Sequence, residues 1–286
     1  MLHEFAATNL GGLISVRDLS WPHAESEVKA VSSATAQAVL KVHRQGRKFA
    51  NERRAYTEWL PRLRPLLEHG TAVPELLAVR SEHPRALLLG LAAGELLDGL
   101  RTAPDVEAAF HERAGRFLAS LHGLSHDRAD PVPLGEAYAM RLEAWLPRAA
   151  GIVPPGVTRA VGRALSGALP FIEAHPRVLC HRDFTPRNWL VNVHDGALTV
   201  IDFEHAQPDL FLADMQRLWV GVWRRRPDLR DSFLAGYGRR FTSHDEAAMR
   251  GFAGFWAFST VGWAREHGDV EFERSGWETL DWLGLR

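Results

Sequence analysis

The chain has 286 residues, 46% hydrophobic and 24% charged, enough for one large domain or two lobes that share a cleft. A formal net charge of −1 provides no global field for nucleic acid or an anionic membrane surface, and the single cysteine, Cys180, excludes an internal disulfide and a cysteine-based zinc site. The start MLHEFAATNLGG lacks the basic and apolar regions of a secretory signal, and no apolar stretch nears the roughly 18 residues of a membrane span, so a cytoplasmic protein with no nucleic-acid or membrane partner is expected.

In chain order, Gly12 to Leu19 reads as a strand and the following WPHAESE as a turn. Val28 to Ser32 and Ala38 to His43 form a plausible hairpin, and Lys48 to Leu63 a helix with Phe49, Tyr56, Leu60 and Leu63 near helical spacing. Strands follow at Leu76 to Arg80 and Ala86 to Leu91. The pattern changes at Ala92 to Gly94, which places a hinge between an N-terminal region, 1–93, and a C-terminal region, 94–286. Thr102 and Asp105 have the spacing of a capping box for a long amphipathic helix that contains Val106, Phe110, Phe117, Leu118 and Leu121. Further helices are predicted around Glu136 to Arg148 and Val157 to Ala174, and from Leu210 onward with breaks at Pro227 and Thr242-Ser243. Trp219, Trp223, Trp256 and Trp263 read mainly as core, and Arg224-Arg225-Arg226 as a solvated face.

The segment HRDFTPRN (181–188) contains a proline, so it is neither regular helix nor central strand but a loop between the apolar stretches VLC and WLV. Asp202 directly follows the apolar strand LTVI. One carboxylate, Asp183, is then free to act as a base, while the amide of Asn188 and the carboxylate of Asp202 offer oxygen to a hard cation such as Mg²⁺. Phosphoryl transfer to a hydroxyl needs this combination. Only Lys29, Lys41 and Lys48 are lysines, which leaves three candidates for a phosphate-binding cation.

HRDFTPRN followed by IDFE resembles the aminoglycoside phosphotransferase family, small-molecule kinases related in fold to protein kinases. The similarity extends over roughly residues 15 to 220: AGRFLASLHGL (114–124) resembles the helix before the catalytic loop, AVLKVH (38–43) the lysine-bearing strand, KFANERRAYTEWL (48–60) the helix of the partner glutamate, and ALLLGLAAGELL (86–97) the strand and linker that hold adenine. The resemblance implies an α+β, two-lobed, protein-kinase-like fold: a small antiparallel sheet with one helix, then a larger, mainly helical lobe. It implies ATP or GTP with Mg²⁺; Lys41 and Glu52 paired at the nucleotide, with Leu91 and Ala92 as its backbone contacts; Asn188 and Asp202 as metal ligands; and Asp183 as the base, with His181, Arg187 and Asp214 in support. Arg182 and Arg187 stand where glycine is common in the family, and Ser20 to Glu27, where a phosphate-covering loop is expected, has no glycine-rich signature.

Arg187 could reach the transferred phosphate or a neighbouring acid. Lys41 could instead snorkel from a sheet edge, and Glu58 could replace Glu52. His181 is assigned to hold the loop and Cys180 to be a small buried hydrophobe. A protein kinase is disfavoured because no A-P-E segment follows IDFE. A metal-dependent hydrolase using His181, Asp183, Asp202 and His205 would leave Lys41, Glu52 and Asn188 without roles, and the intact loop argues against a kinase-like binding module without activity. The resemblance suggests an antibiotic acceptor. For a polycationic aminoglycoside an acid-rich site is expected, yet residues 205–286 hold 12 acidic and 11 basic side chains, with Glu266, Asp269, Glu271 and Glu273 the only local concentration. The tryptophans fit a more apolar natural product, such as a macrolide or nucleoside antibiotic, or a larger core. The alternative acceptor is an amino alcohol, a sugar or homoserine, and the protein is a monomer or a homodimer.

Overall fold

The computed structural model describes residues 1–20, 26–125 and 132–286. Residues 21–25 of the turn predicted at WPHAESE, which fall within the Ser20 to Glu27 loop, lie outside the described residues, and Ser26 and Glu27 are strand. The chain opens with a helix that sequence reading did not foresee, α1 (Leu2–Leu10). The first strands are β1 (Ser15–Asp18), β2 (Ser26–Ser32) and β3 (Gln37–His43). The predicted helix begins as α2 (Gly46–Arg54), widens through one π turn at Ala55–Trp59, and ends as α3 (Leu60–Leu63) and a 3₁₀ turn. Then come β4 (Thr71–Ala72), β5 (Leu76–Arg80) and β6 (Arg85–Gly90).

Five of these strands form an antiparallel sheet in the order β1-β2-β3-β6-β5. Strand alternation divides central β3 between two environments. Ala38, Leu40 and Val42 pack with Ala6 and Leu10 of α1 in a small separate core. Lys41 and His43, which alternate with Leu40 and Val42, go to the opposite face, where Glu52 of α2 lies.

The second region begins with β7 (Glu95–Leu96), α4 (Pro104–His122), α5 (Leu134–Ala149) and α6 (Pro155–Glu173). The Thr102–Asp105 capping box does not form. Ala103 takes the N-cap position because Pro104 fixes the first helical residue, and Thr102 Oγ1 is buried with no hydrogen-bond partner among the described residues. A capping box does form at Thr242 and Asp245. Strands β8 (Val178–Cys180), β9 (Trp189–Asn192), β10 (Ala197–Val200) and β11 (Gln207–Asp209) carry the candidate loop. Helices α7 (Gln216–Val220), α8 (Val222–Arg225), α9 (Pro227–Tyr237), α10 (Ser243–His267) and α11 (Val270–Trp282) complete the chain. The breaks fall at Pro227 and Thr242-Ser243, as expected.

Two features fix the frame beneath the loop. Helices α4 and α9 meet through glycine: a Cβ at Gly115 would lie 2.1 Å from the Phe233 carbonyl oxygen, and one at Gly236 would lie 1.9 Å from that of Glu112. A four-stranded sheet, β4-β10-β9-β7, joins early and late parts of the chain. In it β10 pairs in parallel with β4, and β9 pairs antiparallel with β7. The segment ahead of β4 is fastened to α4 by Arg116 Nε to Glu68 Oε2, 2.8 Å, and Arg113 Nη1 to the His69 carbonyl, 2.8 Å. Among the described residues no helix is long and apolar enough to cross a membrane.

Candidate active site

The loop from His181 to Asn188 leaves β8 and returns as β9 through a 3₁₀ turn at Pro186–Asn188. Arg182 adopts φ 66°, a left-handed conformation that costs a non-glycine residue about 1–2 kcal/mol. Asp214 over-determines it. Its fully enclosed carboxylate accepts the His181 N–H at 3.0 Å, the Arg182 N–H at shorter range, and His122 Nε2 at 2.9 Å. His181 ties the loop to the strand that precedes Asp202. Its Nε2–H donates to the Ile201 carbonyl at 2.9 Å, since a carbonyl can only accept, which leaves Nδ1 to accept the Asp183 N–H at 3.3 Å. Both ring nitrogens of His181 are therefore engaged within the protein. Arg182 turns away to pair with Asp209 Oδ2 at 2.9 Å, where Tyr138 and Arg141 also converge.

Asn188 Nδ2 donates to the Asp183 backbone oxygen at 2.8 Å and to Asp183 Oδ2 at 3.0 Å. Both partners are acceptors, so this orientation of the amide leaves Oδ1 available to a cation. Asp202 also has positive φ, 68°, and its Oδ1 lies 2.5 Å from Lys41 Nζ. Burial raises its pKa, but Lys41 outweighs this and holds the carboxyl below the usual range.

Lys41 Nζ is the hub of the other half of the site. It lies 2.9 Å from Glu52 Oε2 and 3.1 Å from Glu204 Oε2 in addition to Asp202. Burial works against its charge, but the three carboxylates prevail and raise its pKa well above the lysine range. The lysine is thus buried and paired. Glu52 Oε1 also accepts the Phe203 N–H at 3.1 Å, so α2 is bonded to the chain just after Asp202. Glu204 was not singled out in the sequence, though it stands two residues past Asp202 in IDFE. It accepts Lys48 at 2.7 Å and Ser26 Oγ at 2.9 Å, and its pKa is about 2: burial raises it, and Lys41 and Lys48 outweigh that. Leu91 closes the sheet side, with its N–H donating to the Gln37 carbonyl at 3.3 Å, and Ala92 follows it in the linker to β7.

Asp183 is buried and held by cations on both oxygens. Arg217 of α7, a residue that sequence reading missed, pairs closely with Oδ1. Arg187 pairs with Oδ2 at 2.9 Å. Burial pushes the Asp183 pKa up, but the two arginines outweigh it and lower the value to about 2. The clusters of three or more His, Cys, Asp or Glu that could hold a metal ion among the described residues are His122–Cys180–Asp214 and His43–Glu52–Glu204, neither of which is the His181, Asp183, Asp202 and His205 set. The first is the brace under the loop, where His122 also bonds Tyr237 at 2.8 Å.

Three of the four acids concentrated at 266–273 are engaged elsewhere, while Glu271 stays exposed beside Arg274. Glu266 pairs with Arg148, Glu273 with Arg265, and Asp269 caps α11 through the Phe272 N–H at 3.0 Å. Arg226 is likewise paired, with Glu107 at 2.9 Å and Asp228 at 2.7 Å, so the three-arginine run is only partly a solvated face. Trp223 is buried, and Trp219 and Trp256 pack against the main core.

Residues 21–252 match the family described as "Phosphotransferase enzyme family". No curated protein matches the chain by sequence. In fold the chain is similar over nearly its whole length to solved aminoglycoside phosphotransferases. The GDP and kanamycin complex of APH(2")-IIia superposes with TM-score 0.79 at 16% identity, covering 99% of each chain. The GDP complex of wild-type aminoglycoside 2'-phosphotransferase-IIIa gives 0.76 at 17%, covering 99% of this chain and 97% of that one. A thermostable mutant of APH(4)-Ia with ADP and hygromycin B gives 0.70 at 15%, again covering 99% and 97%. The two-lobed kinase-like fold is therefore present.

Proposed function

The chain belongs to the phosphotransferase enzyme family, and from that membership we propose that it moves the γ-phosphoryl group of ATP or GTP to a hydroxyl of a small molecule, an antibiotic or related natural product. The observation that carries this reading is that Lys41 and Glu52 meet Asp202, 161 residues beyond Lys41, while Asn188 bonds to Asp183 in the loop that His181 ties to the Ile201 carbonyl.

In this reading Lys41, aligned by Glu52, binds the α- and β-phosphates, and Leu91 and Ala92 lie at the adenine or guanine ring. The oxygens of Asn188 and Asp202 would hold Mg²⁺, which neutralises phosphate charge when bound; both are hard donors of the kind that ion takes. Asp183 orients the acceptor hydroxyl. A carboxylate with a pKa of about 2 is a weak base, so its contribution is mostly positioning until the hydroxyl becomes strongly acidic in the transition state. The acceptor oxygen bonds to the γ-phosphorus, the bond to the β–γ bridging oxygen breaks, the nucleoside diphosphate leaves, and the hydroxyl proton passes to Asp183 and then to solvent.

The test is a nucleotide-consumption screen with Mg²⁺, ATP or GTP, and a broad acceptor panel, read by mass. Gain of one phosphoryl group on an acceptor supports the reading. A protein that binds neither nucleotide in the presence of Mg²⁺ overturns it.

A further inference from the structure

The acceptor side of the cleft holds charge that the reaction as described does not use. A hydroxyl aligned for attack must reach Asp183, whose side chain is 4% exposed and lies under two guanidiniums: Arg217 on Oδ1, and Arg187 on Oδ2 at 2.9 Å, where Asn188 Nδ2 also bonds at 3.0 Å. Arg217 is 22% exposed and anchored on α7, whereas Arg187 is 49% exposed and sits at the mouth. Arg187 is therefore the side chain able to move aside. A guanidinium leaving a buried carboxylate needs another anion, because an uncompensated charge there is costly. The exposed Asp98 draws on both arginines electrostatically, and Asp202 on Arg187, but neither acid forms a close ion pair with them among the described residues. Of the acids at 266–273 that could have attracted a polycation, Glu266, Glu273 and Asp269 are committed to Arg148, Arg265 and the cap of α11, which leaves Glu271 exposed beside Arg274.

Resting on the kinase reading above, we propose that the acceptor carries an oxyanion beside its reacting hydroxyl, and that this oxyanion draws Arg187 off Asp183 and so uncovers the oxygen that receives the hydroxyl. A planar guanidinium fork matches carboxylate and phosphate alike, so the chemistry is that of a hydroxy acid or of a phosphorylated alcohol. The hydroxyl oxygen then attacks the γ-phosphorus, the β–γ bridge breaks, and the proton goes to Asp183 Oδ2. An acceptor without the anion leaves Arg187 in place over Asp183, and a polycation meets two guanidiniums beside the base.

The experiment uses hydroxy acids from three carbons to macrocycle size, each paired with its primary amide. A second set pairs sugar and polyol phosphates with the free alcohols, and kanamycin serves as the polycation. Nucleotide binding is measured in parallel. The anionic member of at least one set should be preferred by tenfold or more in kcat/KM, and which set responds separates carboxylate from phosphate. Arg187→Met should shrink that preference by about tenfold to hundredfold, through KM, the range for one lost charge-assisted hydrogen bond. The proposal is overturned if neutral or polycationic acceptors are preferred, or if nucleotide binds and no oxyanionic acceptor is modified. It is equally overturned if Arg187→Met lowers kcat alike for acid and amide, which would place the guanidinium on the transferred phosphate. Absence of nucleotide binding marks failure of the kinase reading instead.

Discussion

Substituting Lys41 by methionine keeps the apolar stem and removes the charge on which three carboxylates meet. At the observed separations of 2.5, 2.9 and 3.1 Å, each pair has a direct attraction of roughly 5–7 kcal/mol at an effective dielectric of about 20. Desolvation of the ammonium cancels much of this sum, but it disappears with the charge while the carboxylates stay, and Glu52 has no exposed surface. The expected loss is therefore that of breaking a buried pair from one side, about 3–5 kcal/mol, seen as a fall in Tm of roughly 10 °C. The second readout is nucleotide affinity. Loss of a charge-assisted contact of about 1.5–3 kcal/mol should weaken Mg-nucleotide binding by roughly ten- to 150-fold. Fluorescent ATP and GTP analogues titrated with and without Mg²⁺ measure it without any knowledge of the acceptor. A folded Lys41→Met protein whose Kd stays within twofold of wild type would refute the phosphate role, and an unchanged Tm would refute the network as a tie between α2 and the chain around Asp202.

Asp183→Asn should lower turnover on any accepted substrate by about 10²- to 10⁴-fold while nucleotide Kd stays within about threefold; near-normal turnover removes Asp183 from the chemistry. Asp202→Ala should abolish the part of nucleotide affinity that depends on Mg²⁺, measured by titration with and without EDTA, and wild-type Mg²⁺ dependence would show that Asp202 is not a ligand. His111 gives a pH signature of stability. Burial and Arg226 lower its pKa to about 4, so the unfolded chain takes up a proton that the fold refuses between about pH 6.5 and 4. Stability tied to this residue is thus present above pH 6.5 and lost as pH falls, by about 2 kcal/mol between pH 7.5 and 5. Urea unfolding of wild type and His111→Phe at the two pH values should show that difference for wild type alone, and equal acid sensitivity in both would exclude His111 as its source.

The parts of the site legible in the sequence are those whose spacing the covalent chain sets. Asp183 and Asn188 are five residues apart in a loop forced by Pro186, and Asp202 ends an apolar strand, so their proximity needed no long-range information. Lys41 was found because lysine is scarce and AVLKVH resembles the lysine-bearing strand of the family. Glu204 and Arg217 were missed because their partners, Lys48 and Asp183, are 156 and 34 residues away, and one acid or arginine among many carries no mark of its pairing. The acid concentration near the C-terminus misled for the same reason: Arg148, which takes up Glu266, is 118 residues upstream. The failed box at Thr102 has a local cause, since Pro104 fixes where α4 starts, one residue later than the Thr-Asp spacing requires.

The parallel ladder between β4 and β10 has a mechanical meaning. The early and late parts of the chain are joined at the 91–94 linker and again where Gly70 accepts the Leu198 N–H at 2.8 Å. A body hung at one point can tilt and twist in any direction; hung at two, it turns about the line through them. The ties of Lys41 to Asp202, Glu52 to the Phe203 N–H and Lys48 to Glu204 lie off that line, and they fix the angle at which the sheet stands over Asp202, as a latch fixes a door on its pins.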